Sequence, residues 1–561
     1  MKGNPTERYV RRRDFLKLGL ATAGVGLLQA CAPAAPPTPT QAPAPQPTPV
    51  KPPAQVPQVP QLQATPVPTQ APTAVPTKPA GPKKGGTFTV ASLSTINEFH
   101  AFHPTAGQSP LQLAMWNSLA YYDEQLRLQP SLAEKWDISP DGKTVTFKLR
   151  EGVKFHSGRE FTSDDVKASV DFASTDPQST MISMYKLIKK VETPSKYVAV
   201  FQFDALYAGI YDLIDQMFIM DKETLADRSK TAIGTGPFKL EKYVPNDVIE
   251  MVPFKDYWDK GKPYLDRYIV RITPDPSAMV INLESGAVDC VSQPTYVDAV
   301  RLKSAGSRYV VDLGPKGSSV YDVGLNVSVG PLQNKKVRQA IAWSVDRARF
   351  CRTTLQGLVE PTCLMWPKHS WAYFPELAGK IGYDLDKAKS LLKEAGMDGG
   401  FEFELMGSSK RMFGTGDLAQ IISADLAKIG VKARVNDAET AVFNTRHLAG
   451  DIEAITHTYG RANRDPGSLV TGAKAWTNFK QGNWTHWDNA EWDKLRDELN
   501  ATLDQEKRKA TARKLQEMAL DECFTIVVTD NPRCWIYMNY VKGFGYTMSN
   551  EPFVGNVWLD K

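Results

Sequence analysis

The sequence predicts an α/β protein with more than one domain. Two observations carry this expectation. Short segments that alternate apolar with polar residues recur between longer stretches whose apolar side chains keep helical spacing. The part with globular composition, Gly85 to Lys561, spans 477 residues, more than one hydrophobic core accommodates, so two or three domains are expected.

The individual elements follow from local patterns. Thr144 to Leu149 alternates as a strand after the turn sequence Ser139-Pro140-Asp141-Gly142. Val337, Ile341, Trp343, Ser344, Val345 and Ala348 form a helical stripe beyond Pro331 and Asn334. Asp384 or Asp386 can cap a helix that presents Ala388, Leu391, Leu392 and Ala395 and stops at Gly396. Leu418, Ile421, Ile422, Leu426 and Ile429 repeat the pattern, end at Gly430, and lead into the strand-like Val431 to Val435. No internal repeat interrupts this alternation.

The first 84 residues read differently. Arg11-Arg12-Arg13 precede Asp14-Phe15-Leu16-Lys17 and an uncharged run from Leu18 to Leu28, too short to span a bilayer, which takes roughly 20 residues. The adjacent arginines followed by Phe-Leu-Lys resemble a twin-arginine export signal, and Leu28-Gln29-Ala30-Cys31 resembles a bacterial lipobox. That resemblance implies removal of residues 1–30, with Cys31 lipidated as the new amino terminus. Residues 32–84 hold eighteen prolines and no aromatic residue. Such a segment buries too little to offset the entropy of ordering, and is expected to be an extended spacer. The leader and this linker (31–84) carry the basic excess. The formal charge of +5 becomes −3 for the remainder, which leaves no nucleic-acid footprint in the globular part.

Enzyme motifs are weak. Gly142-Lys143-Thr144 ends like a phosphate loop, but Asp137 stands where its first glycine belongs, so a β-turn is the reading. Neither Gly-x-Ser-x-Gly nor His-Glu-x-x-His occurs. After Cys31 come five cysteines, Cys290, Cys351, Cys363, Cys523 and Cys534, without a Cys-x-x-Cys pair; they read as buried free thiols, with Cys351–Cys363 and Cys523–Cys534 pairings left open. His100 and His103 form a lone His-x-x-His, short of the three or four ligands a metal site needs. No cofactor and no metal is expected.

A series of segments then resembles one family. In order they are Leu132-Ala133-Glu134-Lys135-Trp136, Ser139 to Thr144, Phe147-Lys148-Leu149-Arg150, Gly152 to Gly158, Asp164-Asp165-Val166, Gly234-Thr235-Gly236-Pro237-Phe238, Tyr257-Trp258, Leu283 to Asp289, Asn326, Val337-Arg338-Gln339-Ala340-Ile341, Asp346-Arg347, and Tyr383-Asp384 before Ala388-Lys389. Ser157 departs from the usual Asp. Together they resemble bacterial extracellular solute-binding proteins of family 5, which includes oligopeptide, dipeptide and nickel binders.

The resemblance implies a two-lobed periplasmic-binding-protein type II fold with three domains. Domain I would comprise 85–121, 228–325 and 525–561, domain II 122–227, and domain III 326–524, with the hinge near Tyr321 to Val327 and Phe524 to Pro532. It implies a monomeric, non-enzymatic component of an ABC importer, lipid-anchored on the outer face of the cell membrane or in the periplasmic space. This component would capture a small organic solute, an oligopeptide or a sugar- or opine-like compound, and deliver it to permease subunits. Nickel or metal-chelate carriage, and a secreted enzyme or chaperone reusing the fold, are the alternatives.

By family position the loop Thr95 to Pro104 would face the ligand, with Asn97, Phe99, His100 and His103 as candidates. A second wall, His457 to Pro466, resembles the family's Gly-Trp…Asp-Pro loop, with Arg461 in the usual Trp place. It offers Tyr459, Arg461, Asn463 and Arg464, while Asp465 reads as a turn former. Asn326 and the loop tryptophans Trp366 and Trp371 complete the set, whereas Trp492, in step with Leu495 and Leu499, reads as core. The arginines suit carboxylate or phosphate rather than an ammonium group, which leans the cargo toward polar or acidic solutes.

Overall fold

The computed structural model describes residues 81–561 apart from 94–95, 97–98, 100, 103–108, 124–126, 178, 180–181, 228–230, 314–318, 460–464, 474, 478–481, 532–533 and 548–549. Cys31, the whole leader and the linker up to residue 80 therefore lie outside the described residues. So do Asn97, His100, His103, Arg461, Asn463 and Arg464, and the side chain of Tyr459.

Three large sheets organise the body. A seven-stranded mixed sheet runs in the order Tyr309–Asp312, Trp535–Met538, Cys290–Ser292, Thr87–Ser92, Arg267–Ile272, Val248–Pro253, Phe238–Val244. A four-stranded antiparallel sheet contains Ala133–Ile138, Thr144–Leu149, Val198–Phe203 and Ile188–Ser195. A five-stranded sheet runs Lys432–Asp437, Glu402–Gly407, Ala454–Tyr459, Val320–Leu325, Thr525–Asp530. The strands Val320–Leu325 and Thr525–Asp530, which the expected boundaries leave with domain I, are hydrogen-bonded within this third sheet.

Local chemistry explains the elements. The turn before Thr144 closes with Gly142 N donating to Ser139 O at 2.8 Å, and Gly142 has φ +66°, a left-handed conformation that favours glycine. Asp384, rather than Asp386, caps the helix Leu385–Glu394 by accepting from Lys387 N at 2.9 Å. The stripe read from Val337 to Ala348 is two helices instead of one. Lys335–Ser344 ends at the extended Val345, and Asp346 caps a new helix, Arg347–Thr353, by accepting from Arg349 N at 2.9 Å. The competing cap outweighed the continuing apolar period.

Aromatic packing fills domain III. Trp487 stacks on Phe524 with ring centroids 4.1 Å apart, and the fully buried Trp492 meets both edge-on. All five described cysteines are free and buried. On the strand Val320–Leu325, Gly324 lies under Trp484, and a Cβ there would sit 1.6 Å from the indole Cη2. Gly324→Ala is therefore expected to cost about 3 kcal/mol, the upper end for overpacking a core, measured as a lower denaturant midpoint at unchanged m-value.

Candidate ligand-binding cleft

Ligands of open α/β sheets bind beyond the carboxyl ends of their strands, and here two such edges meet. In the seven-stranded sheet, Thr87–Ser92 and Cys290–Ser292 run parallel. The first leads into the segment that contains Phe99. The second leads into the helix Tyr296–Ser304, capped by Thr295. In the five-stranded sheet Glu402–Gly407 and Ala454–Tyr459 are parallel neighbours, so Gly407 and Tyr459 end their strands at the same edge.

The edges touch. Tyr296 packs edge-on against Phe413 with centroids 5.2 Å apart, and its hydroxyl donates to Asn531 Oδ1 at 3.4 Å. Tyr321 Oη donates to Phe413 O at 2.9 Å, and Asn531 Nδ2 donates to Ser319 Oγ at 3.0 Å. On the same loop the exposed Arg411 lies with Nη1 3.4 Å from His457 Nε2 and its guanidinium over the Phe443 ring.

The four-stranded-sheet domain closes a further side against domain III. Ala208 N donates to Asn500 O at 3.0 Å, Tyr207 Oη lies 3.3 Å from Ser468 Oγ, and Asp465 N donates to Asp212 Oδ2 at 3.0 Å. Asp465 is the N-cap of Pro466–Gly472, accepting from Gly467 N at 2.8 Å, the turn-forming role its sequence context suggests. Its carboxylate also pairs with buried Arg508 at 2.6 Å, whose guanidinium lies over Trp371. Among the described residues Asp212 has no such cation. Burial first, then the Asp465 charge, pushes its carboxyl up to about 8.

The sequence candidates are thus placed unequally. Trp371 reaches this junction through Arg508 and Asp465. Tyr459 ends its strand opposite Val320 at the cleft edge. Phe99 is buried with its ring edge-on to Tyr243 at 5.3 Å, and Trp366 is buried. Asn326 is not brought to the cleft. It follows the far end of Val320–Leu325, donates from Nδ2 to Ile452 O at 2.7 Å, and accepts at Oδ1 from Ser328 N and Oγ. Sequence reasoning missed Asp212, Tyr296, Arg411, Phe413 and Asn531. Only the carboxyl-edge rule, applied to a known strand order, would have raised the last four.

Two sheet-bearing lobes that meet at the carboxyl edges of their strands place the candidate site between them. The match to known proteins makes this specific. Residues 127–481 match the model of bacterial extracellular solute-binding proteins, family 5, and the chain belongs to that family. It is 30% identical over 460 residues to heme-binding protein A of Haemophilus influenzae, covering 74% of this chain and 80% of that one. Identity to the Escherichia coli dipeptide-binding protein is 28% over 456 residues, covering 74% and 83%. Among solved structures, the A. tumefaciens R10 binding protein AgaA in complex with agropinic acid superposes with a TM-score of 0.76 at 25% identity, covering 85% and 99%. The Helicobacter pylori peptide complex of DppA shares the fold, with a TM-score of 0.75 at 24% identity, covering 85% and 99%. The protein is an extracytoplasmic solute-binding component of an ABC importer. Among the described residues no helix is long and apolar enough to cross a membrane, and no group of three or more His, Cys, Asp or Glu side chains could hold a metal ion.

Proposed function

We propose that the protein is a lipid-anchored, monomeric carrier for a small polar organic solute bearing an acidic group, opine-like or a short peptide held by its carboxylate. The exposed Arg411 at the carboxyl edge of the five-stranded sheet supports this reading most directly. Arg461 and Arg464 follow Tyr459 in the sequence, and a planar guanidinium pairs with carboxylate in a bidentate fashion. The likeness to the agropinic acid binder agrees with an opine-like solute, and the identity to the dipeptide-binding protein with a peptide. Calorimetric titration with opines and with di- and tripeptides tests it. Arg411→Ala and Arg461→Ala should each weaken an acidic solute about 10- to 100-fold, the worth of a hydrogen bond to a charged group. Submicromolar binding of a free-amino peptide, unchanged in both variants, would sink the acidic-solute reading.

The anchor rests on the lipobox-like sequence ending at Cys31. One acyl chain binds membranes marginally and two bind stably, so Cys31→Ser should move the protein into the soluble fraction with solute affinity unchanged. Persistent membrane attachment of this variant would refute the anchor. We also place the domain crossings between Asp312 and Val320 and between Asp530 and Trp535, because the two strands they flank pair in the third sheet. Domain III on this division comprises about 320–530.

A further inference from the structure

A small cavity with room for about one water molecule lies in domain III beside the strand Thr525–Asp530 and the helix Gln505–Glu522. Three of its lining side chains each carry a buried N–H donor without a hydrogen-bond partner: Arg347 Nη2, Trp476 Nε1 and Gln516 Nε2. Their remaining groups are committed elsewhere. Arg347 Nε donates to Val527 O at 2.8 Å and Nη1 to Ala342 O at 3.1 Å, while Gln516 Oε1 accepts from Met365 N at 3.0 Å.

Arg347 is 6% exposed and stays protonated at neutral pH. Among the described residues it forms no ion pair, and a buried charge without a counter-charge is costly. The two cysteines lining the cavity do not supply one. Burial pushes both thiols up, Cys523 to about 12. They donate instead to main-chain carbonyls, Cys363 Sγ to Ala378 O at 3.2 Å and Cys523 Sγ to Leu520 O at 3.1 Å. Thr525 Oγ1 likewise donates to Ala475 O.

We propose that this cavity binds a single small monovalent anion of halide type, held by the Arg347 guanidinium, the Trp476 indole N–H and the Gln516 amide. Its size excludes sulfate, phosphate and carboxylates. A water molecule could accept from the same donors, but it brings two protons that themselves need acceptors and leaves the guanidinium uncompensated. A halide accepts from all three donors and neutralises the charge.

The test uses the full chain, dialysed into sodium gluconate and titrated with sodium chloride or bromide at constant ionic strength. Tm of the full chain should rise by about 1.4 °C per tenfold increase of halide above half-saturation. Crystals grown in bromide should show an anomalous peak between Arg347, Trp476 and Gln516. Gln516→Glu supplies an internal carboxylate, so that variant should lose the halide response while remaining folded. Equal Tm in gluconate and halide, a non-anomalous peak (a water), or an undiminished halide response in Gln516→Glu would each overturn the proposal.

Discussion

Solute affinity is expected to fall as the pH rises from about 5 to 8, and to lose that dependence in Asp212→Asn. Asp212 is buried against domain III, where it accepts from Asp465 N. Among the described residues the titratable and charged groups around it are Asp465, Asp215, Tyr207 and, beyond Asp465, Arg508. Burial and the Asp465 charge together raise its carboxyl to about 8. An open state that separates Asp212 from Asp465 and Ser468 is expected to return its carboxyl toward the ordinary value of about 3.9.

Closure therefore takes up a proton between about pH 4 and 8. Below that window both states are protonated and pH has no effect. Within it the closed state loses about tenfold per pH unit relative to the open one, because one pKa unit is worth about 1.4 kcal/mol. Above it the full penalty applies. Where binding requires closure, affinity at pH 5.5 should exceed that at pH 7.5 by up to about a hundredfold. Titration in buffers of different ionisation enthalpy at pH 6 should show uptake of about one proton per solute bound. Asp212→Asn keeps an oxygen acceptor for Asp465 N and should flatten both. Asp322, another buried carboxyl whose burial raises its pKa, lies within the five-stranded sheet. It should affect the pH dependence of unfolding rather than of binding.

The sequence revealed the family and the sheet-forming segments because the recognisable motifs hold the fold together. Gly234 and Gly236 pack so tightly on Met115 and Ala114 that any Cβ would collide with main-chain atoms. Asp289 accepts from Thr89 N at 2.8 Å and Tyr540 Oη at 2.6 Å, joining three separate chain segments. Arg338 binds the carbonyls of Leu332 and Gln333 and the Glu522 carboxylate. Such residues have one workable identity wherever the fold recurs. Asn326 is engaged in the same way, through Ile452 O and Ser328.

The cleft was less legible for a different reason. Asp212 sits in a short helix, Ile210–Asp215, with nothing local to mark it, and its chemistry arises only when residues 253 positions away arrive. Arg411 and Phe413 are exposed loop residues whose meaning depends on which strand lies beside Glu402–Gly407. The sheet membership of the crossing strands was illegible on similar grounds, since pairing of Val320–Leu325 with Ala454–Tyr459 and Thr525–Asp530 is long-range and leaves no periodic trace.

Arg508→Met is expected to destabilise domain III by about 3–5 kcal/mol, the cost of breaking a buried ion pair from one side. Arg508 is nearly fully buried, pairs with Asp465 at 2.6 Å, donates from Nε to Leu499 O at 3.0 Å, and packs over Trp371. Methionine fills much of the same volume but leaves the Asp465 carboxylate without its cation and the Leu499 carbonyl without that donor. The carboxylate cannot simply swing to water, because it also caps the helix Pro466–Gly472 through Gly467 N. Asp465→Asn keeps the cap, since Asn is among the best N-cap residues, and removes the stranded charge. The double variant should therefore recover at least 2 kcal/mol relative to Arg508→Met alone. Chemical denaturation of the wild type, both single variants and the double variant closes the cycle. A coupling below about 0.5 kcal/mol, the scatter expected of independent sites, would mean that Arg508 acts through its packing on Trp371 and not through its charge.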